Sequence, residues 1–507
     1  MAQPVNLGDL LDRSRPAGAT ALIDCLDWER PREYSHGEIH RLADACARGL
    51  LARGLTRGDA VAILAGNRAE FLVAYFGTMR AGLVSVPVNH KFPRETIDFV
   101  LRDSAVKLAF CDGERRAQVP VGIPLVDFDS TKADGFEALL DHGEFAAVRP
   151  EARETAMVLY TSGSTGRPKG VPLSHDGQLW AVRSRVAAGT GLDRERFIVA
   201  APLFHMNALG TSKVVFAAHG GIVLLPQFDA RRYVEAIGRF RVTFLTSVPT
   251  MLALILRETD TLSRTDLSSV RAVRMGSAPT TQQLIDAVKK AFPGAAVSYI
   301  YGTTEAGPVM FGPHPDGRRQ PDLALGWPRP GVEVRLVGSD GSDADEGMLW
   351  IRTPANMTGY LNLPDKTKEV LTSDGWYLSG DVLRRDRTGA YYFVGRADDM
   401  FICGGENIYP GEVEAMLERH PDILQACVVP IPDEIKYEKP FAFVVTRDGS
   451  RLRDDDVKQY ALAHAPAYQH PRHVVFMPAL PLASTGKVDR VALRRLALEH
   501  RQVETKA

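Results

Sequence analysis

Residues Tyr160–Gly170 read Tyr-Thr-Ser-Gly-Ser-Thr-Gly-Arg-Pro-Lys-Gly, and this stretch organises the rest of the chain. The apolar run Ala156–Tyr160 leads into it and predicts a buried strand. Glycine lets backbone N–H groups approach a ligand closely, hydroxyls donate to phosphate oxygens, and a lysine neutralises their charge. The composition therefore favours a polyphosphate loop over a plain Gly/Ser surface loop. The P-loop spacing does not match, because only two residues separate Gly166 from Lys169.

Strand-like and helix-like segments alternate on both sides of this loop. Helical periodicity predicts helices over Tyr34–Gly54, Arg68–Met79 and Pro93–Arg102. Short apolar runs predict strands at Ala60–Leu64, Val84–Val88, Lys107–Cys111, Phe197–Ala201, Gly221–Leu225, Val242–Thr246, Val270–Met275 and Val297–Tyr301. Strands that alternate with helices form parallel sheets with right-handed crossovers. Two α/β layers are therefore expected over roughly residues 1–320.

The pattern changes twice in the rest of the chain. From about residue 321 it becomes β-rich and is punctuated by proline and glycine. From about residue 398 strands and helices mix in a unit of domain size. The predicted fold class is α/β, with a large N-terminal domain at 1–397 (two α/β layers plus a β-rich subdomain) and a small α+β C-terminal domain at 398–507.

Composition narrows the function classes. A hydrophobic content of 45% and a charged content of 24% are typical of a soluble globular protein. The net charge of −1 argues against a general nucleic-acid binder. The five cysteines are scattered without a C-x-x-C pair, so neither a disulfide framework nor a zinc site is indicated. We expect a reducing, cytoplasmic location and no membrane span.

Seven motifs in order resemble those of the adenylate-forming superfamily, which contains acyl- and aryl-CoA synthetases, luciferases and peptide-synthetase adenylation domains. The resemblance covers nearly the whole chain. It rests on Tyr160–Gly170, Pro202–His205, Tyr301–Glu305, Tyr377–Asp381, Gly395–Asp399, Gly404–Pro410 and Ser484–Lys487. It implies a two-step reaction that uses ATP together with bound Mg²⁺. A carboxylate first attacks the α-phosphate of ATP, and the thiol of coenzyme A then displaces AMP.

The resemblance assigns the ATP site. Asp381 would accept both ribose hydroxyls, and Arg396 would contact the ribose or the phosphates. Tyr301 would offer a stacking face to adenine. The remaining implied contacts are Thr161, Ser162, Gly163, Ser164, Thr165, Gly166 and Lys169 to the phosphates, and Ser277, Ala278, Pro279, Gly302 and Thr303 around the nucleoside.

The resemblance also implies the catalytic residues and a moving domain. Lys487 would join the carboxylate to the α-phosphate, Thr304 would donate to that phosphate, and Glu305 would bind Mg²⁺. His205 would position the acid and gate its pocket. Asp398 would be the hinge about which the small, mobile domain rotates after adenylation.

The implied coenzyme A contacts lie in the small domain and include departures from the family pattern. They are Gly404, Gly405, Glu406 and Arg472. The family often has Gly-Glu before a proline where this chain has Glu438-Lys439, and Tyr-Lys where it has Tyr468-Gln469. The missing lysine weakens the expected contact with the phosphates of coenzyme A.

The acid pocket implied by the resemblance is mostly apolar. Its members are Met206, Asn207, Ala208, Phe244, Ser247, Val248, Met275 and Gly276. No carboxylate follows Phe204, so an amino acid substrate is disfavoured. No cation follows Val248-Pro249-Thr250 before Arg257, which counts against malonate because a second carboxylate in a dry pocket needs a partner.

The leading hypothesis is an acid–CoA ligase for a mainly apolar aliphatic or aromatic monocarboxylic acid, acting as a monomer or homodimer. The alternatives are an acyl-adenylate synthetase that loads a carrier protein, a luciferase-like oxygenase, or a non-catalytic nucleotide-binding homologue. A serine hydrolase is disfavoured because the chain lacks a G-x-S-x-G elbow.

Overall fold

The computed structural model describes residues 5–161, 167–189, 191–307, 309–403, 406–433, 436–483 and 487–504. The strands, in chain order, are β1 (Thr20–Asp24), β2 (Arg32–Ser35), β3 (Ala60–Leu64), β4 (Val84–Pro87), β5 (Val106–Cys111), β6 (Leu125–Asp127), β7 (Thr155–Thr161), β8 (Lys169–Ser174), β9 (Arg196–Val199), β10 (Gly221–Leu224), β11 (Phe244–Ser247), β12 (Ala272–Gly276), β13 (Ala296–Ile300), β14 (Phe311–Gly312), β15 (Trp327–Pro328), β16 (Glu333–Val337), β17 (Glu346–Arg352), β18 (Tyr377–Arg385), β19 (Tyr391–Arg396), β20 (Phe401–Cys403), β21 (Glu406–Ile408), β22 (Ile423–Asp433), β23 (Tyr437–Thr446) and β24 (His473–Phe476).

The α-helices begin and end as follows: α1 (His36–Ala52), α2 (Ala69–Arg80), α3 (Arg94–Asp103), α4 (Phe136–Leu139), α5 (His175–Ala188), α6 (Met206–Ala217), α7 (Ala230–Phe240), α8 (Pro249–Ile255), α9 (Thr259–Arg264), α10 (Gln282–Ala291), α11 (Pro364–Val370), α12 (Pro410–Leu417), α13 (Asp454–His464) and α14 (Arg490–Glu504). No helix in the described ranges combines the length and the apolar character that a membrane crossing needs.

Two α/β sheets carry the first 300 residues. One has the strand order β6-β5-β3-β4-β7-β8, and the other has the order β13-β12-β11-β9-β10-β1-β2. Most neighbouring strands in both sheets are parallel, as the alternation of strands and helices predicts. The antiparallel pairs are β1 with β2 and β7 with β8, and the second pair places Thr161 opposite Lys169 at the phosphate loop.

Two further sheets follow the changes of pattern in the sequence. The strands β16-β17-β18-β19 form an antiparallel sheet in the β-rich region. The strands β21-β20-β23-β22, with β24 on β23, form the sheet of the C-terminal unit. Separate apolar clusters pack on the faces of that last sheet, so it has its own core. The division at 397/398 stays a prediction.

Short strands at the start of the chain were not expected from the sequence. β1 and β2 have little periodic signal, since β2 reads Arg-Glu-Tyr-Ser and only Tyr34 is buried. They pair because β1 adds to β10 at the edge of the second sheet, with Leu22 beside Ile222. Tertiary pairing thus creates strands that local propensity does not favour.

His36 provides a test of how burial couples folding to pH. It is 2% exposed, its ring stacks on that of His219 at 3.9 Å, and its Nε2 donates to the Gly220 carbonyl at 3.0 Å. Burial, and secondarily His219, lowers the pKa of His36 from 6.5 to about 4. Between pH 6.5 and about pH 4, His36 is therefore protonated in the unfolded chain but neutral in the folded chain. The free energy of unfolding consequently decreases as the pH falls through this range.

We expect His36 to destabilise the protein by about 2 kcal/mol at pH 5 relative to pH 7.5. Urea unfolding of the wild type and of His36→Gln at both pH values measures this contribution, because glutamine keeps a donor for Gly220 but does not titrate. Buried histidines that do not contact His36 contribute equally to both proteins and cancel. An identical loss of stability in the two proteins would contradict the assignment.

Candidate active site

Two of the sequence motifs and one predicted nucleoside-binding segment follow the carboxyl ends of strands in one sheet. Pro202–His205 follows β9, Ser277–Pro279 follows β12, and Tyr301–Glu305 follows β13. Parallel strands end at the same edge of a sheet, and ligands bind there in open α/β folds. The strand order β13-β12-β11-β9 therefore brings together segments that lie almost 100 residues apart in the chain.

These segments line a cleft of 1910 Å³ whose wall also includes residues of the C-terminal unit. Asp381 and Arg396 come from β18 and β19, and Thr161 and Lys169 are the last residue of β7 and the first residue of β8. Lys487 comes from the far end of the chain. A single space thus contacts both lobes of the protein, as a reaction that uses a basic group from the small domain requires.

Asp381 is the central acceptor of the cleft. It is 5% exposed, the Tyr301 hydroxyl donates to its Oδ2, and Arg396 Nη1 donates to its Oδ1 at 3.1 Å. Burial raises the pKa of Asp381, against the opposing effects of Arg396 and Tyr301. An ionised carboxylate has about four lone-pair sites, so each oxygen can still accept one ribose hydroxyl.

Glu305 and Lys169 both line the cleft, on either side of Tyr360. The Tyr360 hydroxyl donates to Glu305 Oε1 at 3.1 Å, and Lys169 Nζ lies 4.5 Å from the centre of the Tyr360 ring. Burial raises the pKa of Glu305, while Tyr360 and Lys169 oppose that rise. Tyr360 therefore holds the carboxylate and the ammonium near one another without a direct ion pair.

His205 precedes the first residue of α6 and faces the cleft. Its ring packs against that of Phe204 at 4.6 Å, and its Nε2 is buried without a hydrogen-bonding partner among the described residues. Burial first, and then the charge of Lys487, lowers the pKa of His205 to about 3. The imidazole is therefore neutral at pH 7 and cannot act as a fixed cation for the acid.

Lys487 lies just before α14. Its carbonyl accepts the Ala483 N–H at 2.7 Å, and Leu482 forms a β-bridge with Val488. The side chain keeps accessible surface because it borders open cleft space, yet the surrounding protein lowers its pKa and Asp381 acts in the opposite direction. Lys487 and the ribose acceptor thus lie within electrostatic reach of each other.

Asp398 and Arg396 form a two-pronged ion pair at the junction of the lobes. Arg396 Nε donates to Asp398 Oδ1 at 2.8 Å, and Nη2 donates to Oδ2 at 3.1 Å. Burial raises the pKa of Asp398, but the Arg396 contacts outweigh it and the net shift is downward. The predicted hinge residue is therefore tied to a predicted nucleotide contact.

The structure brings most of the predicted site residues to the cleft. All four predicted catalytic residues line it, as do the described nucleotide contacts, Asp398, Met206, Asn207 and Val248. Ser162–Gly166, Gly404 and Gly405 lie outside the described residues. Glu406 and Arg472 are described but do not line the cleft. Their assignments to coenzyme A stay predictions.

Five residues predicted for the acid pocket do not line the cleft: Ala208, Phe244, Ser247, Met275 and Gly276. The Ser247 hydroxyl is instead hydrogen-bonded to that of Tyr233 at 2.9 Å in the core, and Met275 Sδ accepts from Thr280 at 3.3 Å. Strand side chains alternate between faces, so Thr246 and Arg274 line the cleft where their neighbours do not.

Sequence reasoning missed Arg185, Arg274 and Tyr360, which also line the cleft. Arg274 carried a usable signal, because it is the polar member of an alternating run, Ala-Val-Arg-Met, whose other face is Val273 and Met275. Arg185 lies on α5 and Tyr360 in a loop, and no motif marks either.

The chain matches the model of the AMP-binding enzyme family over residues 12–361 and that of the AMP-binding enzyme C-terminal domain over residues 412–487. The chain belongs to the AMP-binding enzyme family. The adenylate-forming resemblance and the enzyme class predicted from the sequence, an AMP-forming acid–thiol ligase, are therefore confirmed.

Relatives of this family member cover nearly its full length. A feruloyl-CoA synthase from Amycolatopsis is 34% identical over 91% of this chain and 93% of its own length. A sulfoacetate–CoA ligase from Cupriavidus necator is 32% identical over 90% and 91%. ATP-bound MatB from Rhodopseudomonas palustris is 29% identical with a TM-score of 0.88, covering 97% of this chain and 98% of that chain, which confirms the predicted fold class.

Proposed function

We propose that the protein is an ATP-dependent acid–CoA ligase that forms an acyl-adenylate from an aliphatic or aromatic carboxylic acid and then transfers the acyl group to coenzyme A. The observation that carries the proposal is the presence of Lys487 in the same cleft as Asp381, Glu305 and Thr304. The cleft thus combines an acceptor for ribose, a carboxylate for a metal ion and a movable cation for the reacting oxygens.

In the first step a carboxylate oxygen attacks the α-phosphorus of ATP, and the bond from that phosphorus to the pyrophosphate oxygen breaks. Lys487 and Thr304 would stabilise the negative charge that gathers on the α-phosphate, because fixed donors act strongly where water is excluded. Asp381 would fix the ribose, and Lys169 would contact the departing phosphates. His205, which is neutral, would form part of the pocket wall and would not attract the carboxylate of the acid away from Lys487.

A magnesium ion fits this site as a partner of the nucleotide. No cluster of three or more metal-ligating side chains occurs among the described residues, but Mg²⁺ needs only one or two carboxylates when phosphates supply other ligands. Glu305 is the carboxylate suited to this role. When bound, the ion would neutralise charge on the phosphates.

In the second step the thiol sulfur attacks the acyl carbon, and AMP leaves with the electron pair of the acyl–phosphate bond. Glu406 and Arg472, the predicted coenzyme A contacts, do not line the cleft, so the C-terminal unit would reorient about Asp398 for this half-reaction. A carrier protein as acceptor is the alternative. The buried, unpaired cysteines Cys25, Cys46, Cys111, Cys403 and Cys427 support the proposed reducing, cytoplasmic location.

The test is release of AMP and pyrophosphate from ATP and Mg²⁺ with a panel of carboxylic acids, with and without coenzyme A. We expect acid-dependent release of both products, and a thioester detectable by mass spectrometry only when coenzyme A is present. Pyrophosphate release without any thioester would favour a carrier-protein acceptor. Tight ATP binding without pyrophosphate release from any acid would favour the non-catalytic alternative.

A further inference from the structure

The wall of the cleft carries two arginines that have no acidic partner in the described part of the chain. Arg185 on α5 and Arg274 on β12 both face the cleft. Arg274 Nε is buried without a hydrogen-bonding partner among the described residues, and its guanidinium lies 4.9 Å from the centre of the Phe244 ring. No hydrogen bond or ion pair of either side chain occurs within the described part of the chain. Two guanidinium groups thus face the cleft, and neither has an acidic partner within the described ranges.

Further positive groups surround this Arg185–Arg274 pair. Lys213 on α6 is 1% exposed and donates to Gln178 Oε1 at 2.6 Å, and Arg329 Nε donates to the Phe311 carbonyl at 3.1 Å. Burial lowers the pKa of Arg274 to about 10, with Arg329 adding to the effect. Burial also lowers the pKa of Arg185, which Arg274 and Arg329 lower further. Only like charges act on Arg185, so an anion would relieve both burial and repulsion.

The pair lies on different elements from the groups assigned to ATP and to the reacting oxygens. Arg185 is on α5 and Arg274 on β12, whereas Asp381 and Arg396 are on β18 and β19 and Lys487 lies just before α14. Among the described residues, Asp381 pairs with Arg396 and Glu305 accepts from Tyr360, and neither carboxylate pairs with Arg185 or Arg274. ATP and the reacting carboxylate would therefore leave the Arg185–Arg274 pair without a partner.

Neighbouring polar groups extend the pair into an oxyanion-binding surface. In the parallel pairing of β11 and β12, Thr246 stands beside Arg274 on the same face, and both line the cleft. Asn207 donates to Ser277 Oγ at 3.2 Å and lies 3.5 Å from the Thr246 hydroxyl. Met206 and Val248 provide apolar wall nearby. Guanidinium groups match the planar geometry of oxyanions and bind them with two parallel hydrogen bonds.

We propose that the acid substrate carries a second oxyanion group, a carboxylate or a sulfonate, at the end opposite to the reacting carboxylate, and that Arg185 and Arg274 bind it. The proposal rests on the proposed ligase function and narrows its substrate class. The body of the acid still packs on apolar wall, as the sequence predicts. The sequence offers no cation between Thr250 and Arg257, but the fold supplies Arg185 and Arg274 from other elements.

The test compares acids that differ only at the far end. Linear acids of four to eight carbons and para-substituted benzoic acids are each supplied with a terminal carboxylate, a sulfonate or a neutral primary amide. We expect kcat/KM for an acid of matching length with a terminal oxyanion to exceed that of the corresponding amide by about 100-fold. The neutral amide leaves the guanidinium groups of Arg185 and Arg274 without an anionic partner. The carboxylate and sulfonate arms identify which oxyanion is preferred.

Variants assign the selectivity to the pair. Arg185→Met should lower the oxyanion-to-amide ratio to near one, and Arg274→Met should do the same, whereas Arg183→Met, an exposed arginine on the same helix, should leave it unchanged. The Tm of ligand-free Arg185→Met should be unchanged or higher, because removing an uncompensated buried charge does not destabilise. This separates a lost contact from a lost fold.

An equal or lower kcat/KM for every oxyanion acid than for its amide, with a ratio that Arg185→Met does not change, would overturn the inference while leaving the ligase function intact. If no acid causes pyrophosphate release, the proposed ligase function is wrong. The inference about Arg185 and Arg274 is then tested by acid binding. A larger rise in Tm with oxyanion acids than with amides in the wild type, lost in Arg185→Met, would support it. No such difference would overturn it.

Discussion

Lys487→Ala should lower acyl-adenylate formation by at least about 1000-fold while thioester formation from a synthetic acyl-adenylate and coenzyme A stays within about threefold of the wild type. Lys487 is positioned in the cleft where its charge reaches His205 and Asp381, whereas the nucleotide contacts come from other elements. Removing the ammonium therefore removes a charge that is needed while the α-phosphate is attacked. The two half-reactions are measured by ATP–pyrophosphate exchange and by thioester production.

A matched control is Lys458→Ala, which removes a lysine from the same unit that pairs with Asp454 at 2.9 Å on α13. Both half-reactions should survive that change. Burial lowers the pKa of Lys487, so adenylation by the wild type should also decline at a lower alkaline pH than the ordinary lysine value of 10.5. Retention of both half-reactions in Lys487→Ala would refute the assigned role.

Asp398→Pro should leave adenylation largely intact and reduce thioester formation by about 100-fold or more. Rotation of a domain requires a few residues whose φ and ψ angles change, and proline fixes φ near −65° and restricts the residue before it. The described backbone hydrogen bonds at this junction are Ala397 N–H to the Gly380 carbonyl at 2.8 Å and Met400 N–H to the Arg396 carbonyl at 3.2 Å. Proline at 398 removes neither.

The side chain must be separated from the backbone in this experiment. Asp398→Ala loses the ion pair with Arg396 but keeps the backbone free, so it should retain far more thioester formation than Asp398→Pro. Pre-steady-state measurement of pyrophosphate release and thioester formation distinguishes the two steps. Equal loss in both variants would assign the effect to the ion pair, and normal turnover of Asp398→Pro would exclude a hinge at this residue.

The α/β layers and the order of the motifs were predictable because they rest on local patterns. β3 begins and ends where its apolar run predicts, since five consecutive apolar residues are a strong local signal. The strands β1 and β2 were not predictable, because they depend on pairing with β10. Edges of sheets are where distant segments decide the outcome.

In the predicted acid pocket, the face of the sheet on which a strand residue lies decides whether that residue lines the cleft. Successive strand residues point to opposite faces, so Ser247 lies in the core beside Tyr233 while Thr246 lines the cleft. A sequence pattern of mostly apolar residues does not state which face holds the ligand. Ser247 and Met275, which the sequence predicts for the pocket, alternate with Thr246 and Arg274, which line the cleft.

The sequence by itself determined the family and the ligase class, and it predicted the residues around the nucleotide, because those residues occur in short segments whose spacing is read directly. Tertiary structure alone decided which other residues line the cleft. Arg185 and Arg274 lie on a helix and a strand far apart in the chain, and packing places both at one cleft, where neither has an acidic partner among the described residues. Local order fixes which side chains a segment presents, but only the packed sheets and helices fix which distant charges share a pocket.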